Sequence, residues 1–303
     1  MSVNELTAIV LNWRTPDLTE RAARALIGDG VAPERIVIVE NGSDDGSAEQ
    51  LQRALPGCRV LALESNAGFA RASNLGAANL PADAYLLVNS DAFVGRPGSV
   101  AKLRSALDDP AVGLAVPKLL NEDRTLQPSV VPFSTPLSEL VRASGLSRFA
   151  PDRLQPRLGT HWDHAQAAPI QAAQGAVVMV RGSAWDQLGG FDESSFMYAE
   201  DLDLFRRAAA LGWKAQFIPD AEFVHLGGAS ATRRWGEAQR ANRVARAEAA
   251  VVRRHLGRVR GPLTVGLMAL GCGARSLYRL LRGDRDAARE QAAWARGYLT
   301  RGR

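Results

Sequence analysis

With 303 residues, the chain is long enough for one large domain or two smaller ones, and its 46% hydrophobic and 23% charged residues exclude an intrinsically disordered protein. The net charge of +5 conceals an asymmetry, because the residues from Arg233 onward hold 17 arginines and five acids, a balance of +12, and the residues before them carry −7. Such a basic C-terminal extension suits anionic lipid headgroups, nucleic acid or a phosphorylated partner, and composition does not choose among them.

Short apolar runs alternate with helical patterns over the first ninety residues. Strands are predicted at 7–12, 35–39, 60–63 and 84–88, with a helix after each of the first three. Because these runs do not alternate between polar and apolar residues, they predict an α/β fold with a mostly parallel central sheet flanked by helices. Later strands are predicted at 174–180, 213–219 and 221–225, and an amphipathic helix at 238–255.

Polar residues follow several of the predicted strands. They are Asn12, Glu40, Asn41, Asn66, Asn89, Ser90 and Asp91. Because open parallel sheets bind ligands at the carboxyl ends of their strands, we expect these side chains to share one edge. The chain has neither GxGxxG after its first strand nor GxxxxGK[ST], so a nucleotide would be held by side chains. Asp91 could bridge a hard cation to a diphosphate, and the strand-end His225 could complete the metal shell.

The segment 189–207 (GGFDESSFMYAEDLDLFRR) places three acids in the first turn of a predicted helix. Asp203 is explained by an ion pair with Arg207, four residues further on. Glu200 and Asp201 are either ordinary helix-start residues or carboxylates that the helix dipole keeps ionised. An ionised carboxylate beside a cleft is what a general base requires.

Two further segments are less regular. Prolines interrupt the stretch 124–169, which we interpret as a loop excursion that covers the cleft. The most apolar window, 262–281, contains Arg275 and Arg279, so it predicts an interfacial helix or a helix packed on the core rather than a membrane span. Cys58 and Cys272 lack metal-ligand spacing, and the N-terminus lacks a secretory signal, so we expect a cytoplasmic protein. Peripheral attachment to the inner face of the cell membrane stays open.

The motifs AIVLNWRTPD, VIVENGSDDGS, NAGFARASNLG, LLVNSDAFV and GGFDESSFMYAEDLDLFRRAAALGW, followed by His225, resemble in their order those of the family 2 glycosyltransferases. The similarity is strongest to the bacterial rhamnosyltransferase-like branch and runs from Thr7 to Gly228. It implies a GT-A fold, a nucleotide-sugar donor, a divalent metal (Mg²⁺ or Mn²⁺) and an inverting transfer. It also implies a catalytic domain at 1–232 and leaves 233–303 as a basic helical extension.

The resemblance assigns roles to the matching positions. The segment 89–91 takes the place of the family's DxD motif, with Asp91 at the metal and the diphosphate and with Asn89 departing from the usual acid. Glu40 stands where the family has an Asp at the nucleotide base, which leaves uracil and thymine open. Asn66, Arg71 and Asn74 match the segment that contacts the nucleotide and the donor sugar, and we expect the strand-end residues Asn12 and Asn41 to contribute to the same donor site. Asp201 is the expected base with Glu200 in reserve, and His225 matches a late metal-binding histidine.

The expected function is inverting transfer of a sugar to a hydroxyl of a glycan or polyprenyl-linked acceptor in bacterial surface polysaccharide synthesis. The donor is expected to be UDP- or dTDP-linked, with rhamnose as one candidate sugar. Asn89 favours an alternative, a non-catalytic nucleotide-sugar or glycan-binding module on the same fold. A sugar-1-phosphate nucleotidyltransferase would need an early glycine-rich loop followed by Arg and Lys, which the chain lacks. No nucleic-acid partner is expected, while an anionic membrane surface and a homo-oligomer stay open.

Overall fold

The computed structural model describes residues 6–144, 162–194, 197–227 and 236–300. Its strands are β1 (Leu6–Asn12), β2 (Ile36–Glu40), β3 (Arg59–Ala62), β4 (Ala84–Asn89), β5 (Ala92–Val94), β6 (Val112–Leu120), β7 (Leu126–Gln127), β8 (Val130–Val131), β9 (Ala168–Ile170), β10 (Ala172–Ala173), β11 (Val177–Arg181) and β12 (Lys214–His225). Its α-helices are α1 (Pro16–Gly28), α2 (Ser47–Ala54), α3 (Phe69–Asn79), α4 (Ser99–Ala106), α5 (Pro136–Ser144), α6 (Gly182–Leu188), α7 (Glu200–Ala210), α8 (Glu237–Leu281) and α9 (Arg285–Leu299).

The first four strands of the central sheet are parallel, with β1 between β2 and β4 and with β3 outside β2. Strands β1, β2 and β4 are buried along nearly their whole length, because helices cover both faces of the sheet. The register places Asn12 beside Glu40 and Leu11 beside Asn89, so these strands end at a common edge. The predicted α/β fold with helices flanking a central sheet is confirmed.

The other half of the sheet is mixed. Strand β11 lies antiparallel between β4 and β6, β6 runs parallel to β12, and β12 runs antiparallel to β5. The parallel arrangement expected for most of the sheet is therefore confined to its first four strands and the β6–β12 pair. The strands predicted at 213–219 and 221–225 form one strand, β12, whose register shifts between Ile218 and Glu222.

The segment 124–169 contains short strands that the sequence does not indicate. Strand β7 pairs with β6, β8 pairs with β10, and α5 precedes residues 145–161, which lie outside the described part of the chain. Val131 of β8 reaches the cavity described below. That the segment covers a cleft stays a prediction.

The C-terminal helices form a compact group. At Gly257 (φ 72°, ψ −169°) helix α8 bends sharply, which divides it into a first arm (237–256) and a second arm (258–281). The arms meet so closely that a Cβ on Gly261 would lie 2.8 Å from the Arg253 Cα. A small core joins both arms to α9, and its members include Ala249, Val252, Val265, Met268 and Tyr298.

The helical C-terminal extension is thus confirmed. Its predicted boundary at 232/233 falls within residues 228–235, outside the described part of the chain, so the division into domains stays a prediction. No helix in the described part of the chain is both long and apolar enough to span a lipid bilayer.

Candidate active site

A cavity of about 510 Å³ lies at the carboxyl ends of the parallel strands. Its walls bring together most of the predicted site residues, which are Asn12, Asn41, Asn66, Asn89, Ser90, Asp91, Glu200, Asp201 and His225. We call the first six, together with His225, the strand-end rim. These residues are far apart in sequence. They meet because the carboxyl ends of β1, β2, β4 and β12 all lie on one side of the sheet.

Asp91 and His225 face each other within the rim. The His225 Nε2 lies 3.3 Å from the Asp91 Oδ1, and both side chains are largely buried. Gln127 fixes the orientation of the imidazole, since its amide donates to Asn121 Oδ1 (3.0 Å) and to the His225 carbonyl oxygen (3.1 Å). The Gln127 Oε1 must then accept a hydrogen bond from the His225 Nδ1–H, 2.7 Å away. In the neutral ring the Nε2 lone pair therefore points at Asp91.

A carboxylate oxygen and an imidazole lone pair that converge in this way fit a divalent cation. The described residues contain no group of three or more His, Cys, Asp or Glu side chains with metal-binding geometry. Mg²⁺ commonly binds through one or two carboxylates together with substrate phosphates and water, so two protein ligands are compatible with such a site. Asn89 lines the cavity next to them and supplies an amide where an acid is expected.

The turn after β2 is held by its own side chains. Asn41 accepts a hydrogen bond from the Ala67 N–H (2.8 Å) and donates to Asn66 Oδ1 (3.3 Å), which ties the turn to the start of α3. Gly42 has a φ of +63°, and a Cβ there would lie 2.3 Å from the backbone of Ser65. Glu40 is buried beneath this turn, where its Oε1 accepts from the Ser43 N–H (2.9 Å), and it does not line the cavity.

Two other predicted donor-binding residues also lie off the cavity walls. Arg71 is exposed on α3. Asn74 accepts a hydrogen bond from the Phe191 N–H and donates to the Phe191 carbonyl oxygen, both at 2.9 Å, so it anchors the chain that leads to Glu200 and Asp201. Within this segment, residues 195–196 lie outside the described part of the chain.

Glu200 and Asp201 begin α7 and line the same cavity as Asp91 and His225. Asp201 accepts hydrogen bonds from the Gly175 N–H (2.8 Å) and from the Leu202 N–H (2.7 Å). The Glu200 Oε2 is buried and, among the described residues, has no hydrogen-bond partner. Because each oxygen of Asp201 keeps a second lone pair, the carboxylate can still accept a proton from a ligand.

The two acids differ in protonation. Removal from bulk water raises the pKa of Glu200 to about 8, and the charge of Asp201 adds to that shift. Burial also raises the pKa of Asp201, but donation from the Gly175 and Leu202 N–H groups opposes it. The pair therefore retains a proton near neutral pH. We place that proton on Glu200, because Asp201 has the hydrogen bonds that stabilise a carboxylate.

The backbone before the acid pair adopts an unusual conformation. Tyr198 and Ala199 both have positive φ, 74° and 63°, although neither is glycine. Such residues cost on the order of 1–3 kcal/mol each and persist where the surrounding structure imposes them. This strained turn directs the first residues of α7 into the cavity.

The remaining wall of the cavity comes from the C-terminal helices, and we call it the helical wall. It consists of Glu237, Arg240, Ala241, Val244, Glu248, Glu290 and Trp294. The wall is joined to α7 through buried Asp203, which accepts from Arg207 Nε (2.6 Å), as predicted, and pairs with His255 Nε2 of the first arm (2.7 Å). Arg254 of the same arm pairs with Asp192.

Sequence analysis missed Gln127 and the helical wall. A signal for the wall was present, because Ala241, Val244 and Glu248 recur at helical spacing on one face of the predicted amphipathic helix, and Glu237 directly precedes that helix with the same spacing. Acids on an otherwise apolar face indicate a polar cavity beneath it. Gln127 belongs to a two-residue strand and had no comparable signal.

The sequence profile of the family described as glycosyltransferase like family 2 matches residues 4–256. Two curated relatives, both N-acetylglucosaminyl-diphospho-decaprenol L-rhamnosyltransferase from strains of Mycobacterium tuberculosis, are 30% identical over 218 residues. The match covers 64% of this chain and 66% of each relative, just under two thirds of their length.

A solved structure supports the fold. The mannosyltransferase from Pyrobaculum calidifontis, in complex with GDP-Man and Mn²⁺, superposes with a TM-score of 0.58 at 16% identity, over 96% of this chain and 86% of the other. At this identity the likeness concerns the fold alone, which is of the GT-A type.

Proposed function

Because the chain belongs to the glycosyltransferase like family 2, we propose that it is an inverting glycosyltransferase that moves a sugar from a UDP- or dTDP-linked donor to a hydroxyl of a lipid-linked glycan. The name of the mycobacterial relatives supports a rhamnosyl donor and an acceptor that carries N-acetylglucosamine on a prenyl diphosphate. The observation that carries the proposal is that one cavity brings together the Asp91–His225 pair of the strand-end rim and the hydrogen-bonded carboxylate of Asp201.

The strand-end rim holds the donor in this proposal. Asn41 and Asn66, which line the cavity, would contact the nucleotide, and Asp91 and His225 would bind Mg²⁺ or Mn²⁺ together with the diphosphate. A bound divalent cation neutralises the negative charge that grows on a departing diphosphate. Gln127 keeps the His225 Nε2 free for that role by accepting from the Nδ1–H.

Asp201 deprotonates the acceptor. Its carboxylate lies opposite the leaving group, so a hydroxyl that donates to it can attack the anomeric carbon from the far side and invert that centre. Glu200 stays protonated beside it and keeps a second negative charge away from the incoming hydroxyl.

The test uses purified full-length protein with UDP- and dTDP-sugars, Mg²⁺ or Mn²⁺, and N-acetylglucosamine linked through a diphosphate to a short prenyl chain. Mass spectrometry should detect the glycosylated acceptor, and the anomeric configuration of the product, determined by NMR, should be opposite to that of the donor. Donor binding without release of nucleoside diphosphate for any donor and acceptor would instead favour the binding-module alternative. A retained configuration would contradict inversion.

We also propose that the C-terminal helices bind an anionic membrane surface. Ten of the twelve large hydrophobic side chains that are exposed in the described part of the chain lie on α5, α8 and α9. On the second arm of α8 they form a single stripe, made of Val259, Leu263, Leu270, Leu277 and Leu281. Exposed arginines occupy the same arm, namely Arg258, Arg260, Arg275 and Arg279, and Arg282 follows its last residue. An apolar stripe accompanied by arginines is typical of an interfacial helix.

Sedimentation with phosphatidylserine-containing vesicles tests this second proposal. Binding should be strongest at low salt, where electrostatic attraction is least screened, and should fall in the double variant Leu263→Ser/Leu270→Ser. Leu211→Ser, which alters an exposed leucine just after α7, is the matched control. Absence of binding at low salt would refute the proposal.

A further inference from the structure

A second cavity, of about 250 Å³, adjoins the candidate active site. The two cavities share Val131, Leu202 and Glu248, so they are neighbours separated by these side chains. None of the predicted donor-binding or metal-binding residues lines the second one. A ligand that extends from the acid pair away from the strand-end rim would enter this space.

The lining of the second cavity is apolar apart from a few groups. Its apolar side chains are Val130, Val131, Pro132, Phe133, Leu202, Val251, Val252 and Met268. The cationic groups are Arg142 of α5 and Arg206 of α7. A cavity that combines an apolar lining with two guanidinium groups suits an amphiphile whose anionic group is attached to a hydrocarbon chain.

Arg206 is poised to bind an anion. Its guanidinium lies over the Phe133 ring (4.5 Å) and donates to the Ser134 carbonyl oxygen (3.0 Å). Among the described residues this carbonyl is its sole hydrogen-bond acceptor, so most of its five N–H donors are unused. Arg142 forms an ion pair with Glu139 at 3.4 Å. Two planar guanidinium groups at one cavity match the several oxygens of a diphosphate.

The acid at the junction does not prevent such binding. Glu248 accepts a hydrogen bond from the Tyr298 hydroxyl (2.7 Å), which turns its Oε2 toward α9. Burial raises the pKa of Glu248 to about 7, so the side chain can take up a proton when a second anion approaches. A carboxylate hydrogen-bonded in this way opposes an anion less than a free one.

The elements around the second cavity also bear exposed apolar residues. Helix α5 supplies Arg142 and carries Leu137 and Leu140 on its exposed side. The second arm of α8 supplies Met268 and carries part of the apolar stripe. A hydrocarbon chain that leaves the cavity therefore has an apolar surface on both of these elements.

We infer that the second cavity binds the prenyl diphosphate portion of a lipid-linked acceptor, with Arg142 and Arg206 at the diphosphate and the apolar lining around the first isoprene units. This inference rests on the proposed function, and it assigns a location to the part of the acceptor that does not react. The acceptor sugar then lies at the junction of the two cavities, next to Glu248 and the acid pair.

The probe is farnesyl diphosphate, titrated calorimetrically into the full-length protein in the presence of EDTA and in the absence of donor. The parent should bind it, and Arg206→Gln and Arg142→Gln should each weaken binding roughly tenfold or more, since hydrogen bonds to charged groups are the strong ones. Arg289→Gln, on the exposed side of α9, is the matched control and should bind like the parent. Inorganic diphosphate should bind more weakly, because it lacks the chain.

Two further arms keep the result unambiguous. In a separate titration without EDTA, UDP with Mg²⁺ should not displace farnesyl diphosphate. Displacement would mean that the probe occupies the donor site and would overturn the inference. Unchanged affinity in both glutamine variants would also overturn it. If Arg206→Gln fails to fold, Arg206→Lys retains the charge but not the planar group, and its affinity should fall between those of parent and Arg142→Gln. Arginine-dependent binding without sugar transfer would refute the proposed function and leave the prenyl diphosphate site standing.

Discussion

The two sides of the active-site cavity are built differently. The strand-end rim consists mostly of short polar side chains that follow β-strands, and hydrogen bonds such as the one between Asn41 and the Ala67 N–H fix its turns. The helical wall presents longer side chains, including Arg240, Glu248 and Trp294, from helices that lie late in the sequence. The sheet and its turns therefore position the proposed donor side, whereas the proposed acceptor side depends on how the C-terminal helices pack.

The largest effect is expected from Asp201→Asn, which should slow sugar transfer without changing the residues of the strand-end rim. If Asp201 is the base, transfer should slow by about 10²–10⁴-fold, the usual contribution of a positioned general base. Donor binding should be unchanged, because the strand-end rim is intact. Asp220→Asn, at an exposed carboxylate of β12, is the matched control for both measurements, which are initial rates and donor titration. An Asp201→Asn enzyme as fast as the parent would remove Asp201 from the mechanism.

Gln127→Met tests how the strand-end rim is positioned. The substitution keeps the side-chain length but removes the acceptor for the His225 Nδ1–H, so the imidazole can rotate or change tautomer. Loss of such a partner typically lowers metal affinity about 10–100-fold. Titration of Mn²⁺ by electron paramagnetic resonance, with nucleoside diphosphate present, measures the change. Gln187→Met on α6 is the control, and equal affinities for the two variants would count against this role of Gln127.

The substitution Glu200→Gln tests whether Glu200 is protonated in the folded protein, through the pH dependence of stability rather than through sugar transfer. Because the pKa of Glu200 is raised to about 8 in the fold, the parent loses stability as pH rises from its unfolded-state value, near 4.5, through 8. In the Glu200→Gln variant, the free energy of unfolding should fall less over this pH range than in the parent. The difference should be on the order of a few kcal/mol, since each unit of pKa shift is worth about 1.4 kcal/mol. Urea unfolding at pH 5, 7 and 9 measures it. Parallel stability profiles for parent and variant would contradict the protonated Glu200.

The smallest expected effect concerns the strained turn. Ala199→Gly should relieve a left-handed conformation that costs an alanine roughly 1–2 kcal/mol, while glycine loses about 0.5–1 kcal/mol more in conformational entropy. The free energy of unfolding should therefore rise by about 1 kcal/mol or less, and thermal unfolding measures this shift. A destabilised variant would show that the alanine methyl group matters more than the strain.

The two sides of the cavity also differ in how well the sequence alone predicts them. The strand-end rim was predictable because residues such as Asn12 and Asn89 directly follow buried apolar runs, and parallel strands bring such positions together. Strand β6 was missed although it is central, since Pro117 interrupts its pattern and proline argues against an interior strand. The helical wall depends on the bend at Gly257, a tertiary feature that local periodicity does not reveal.

The central claim is that Asp91 and His225 hold a divalent cation at the strand-end rim, opposite Asp201. The most direct measurement is anomalous X-ray diffraction from crystals grown with Mn²⁺ and UDP. The account predicts a manganese peak bound by Asp91 Oδ1 and His225 Nε2, with the diphosphate oxygens completing the shell. A peak elsewhere, or UDP bound away from these two side chains, would contradict it.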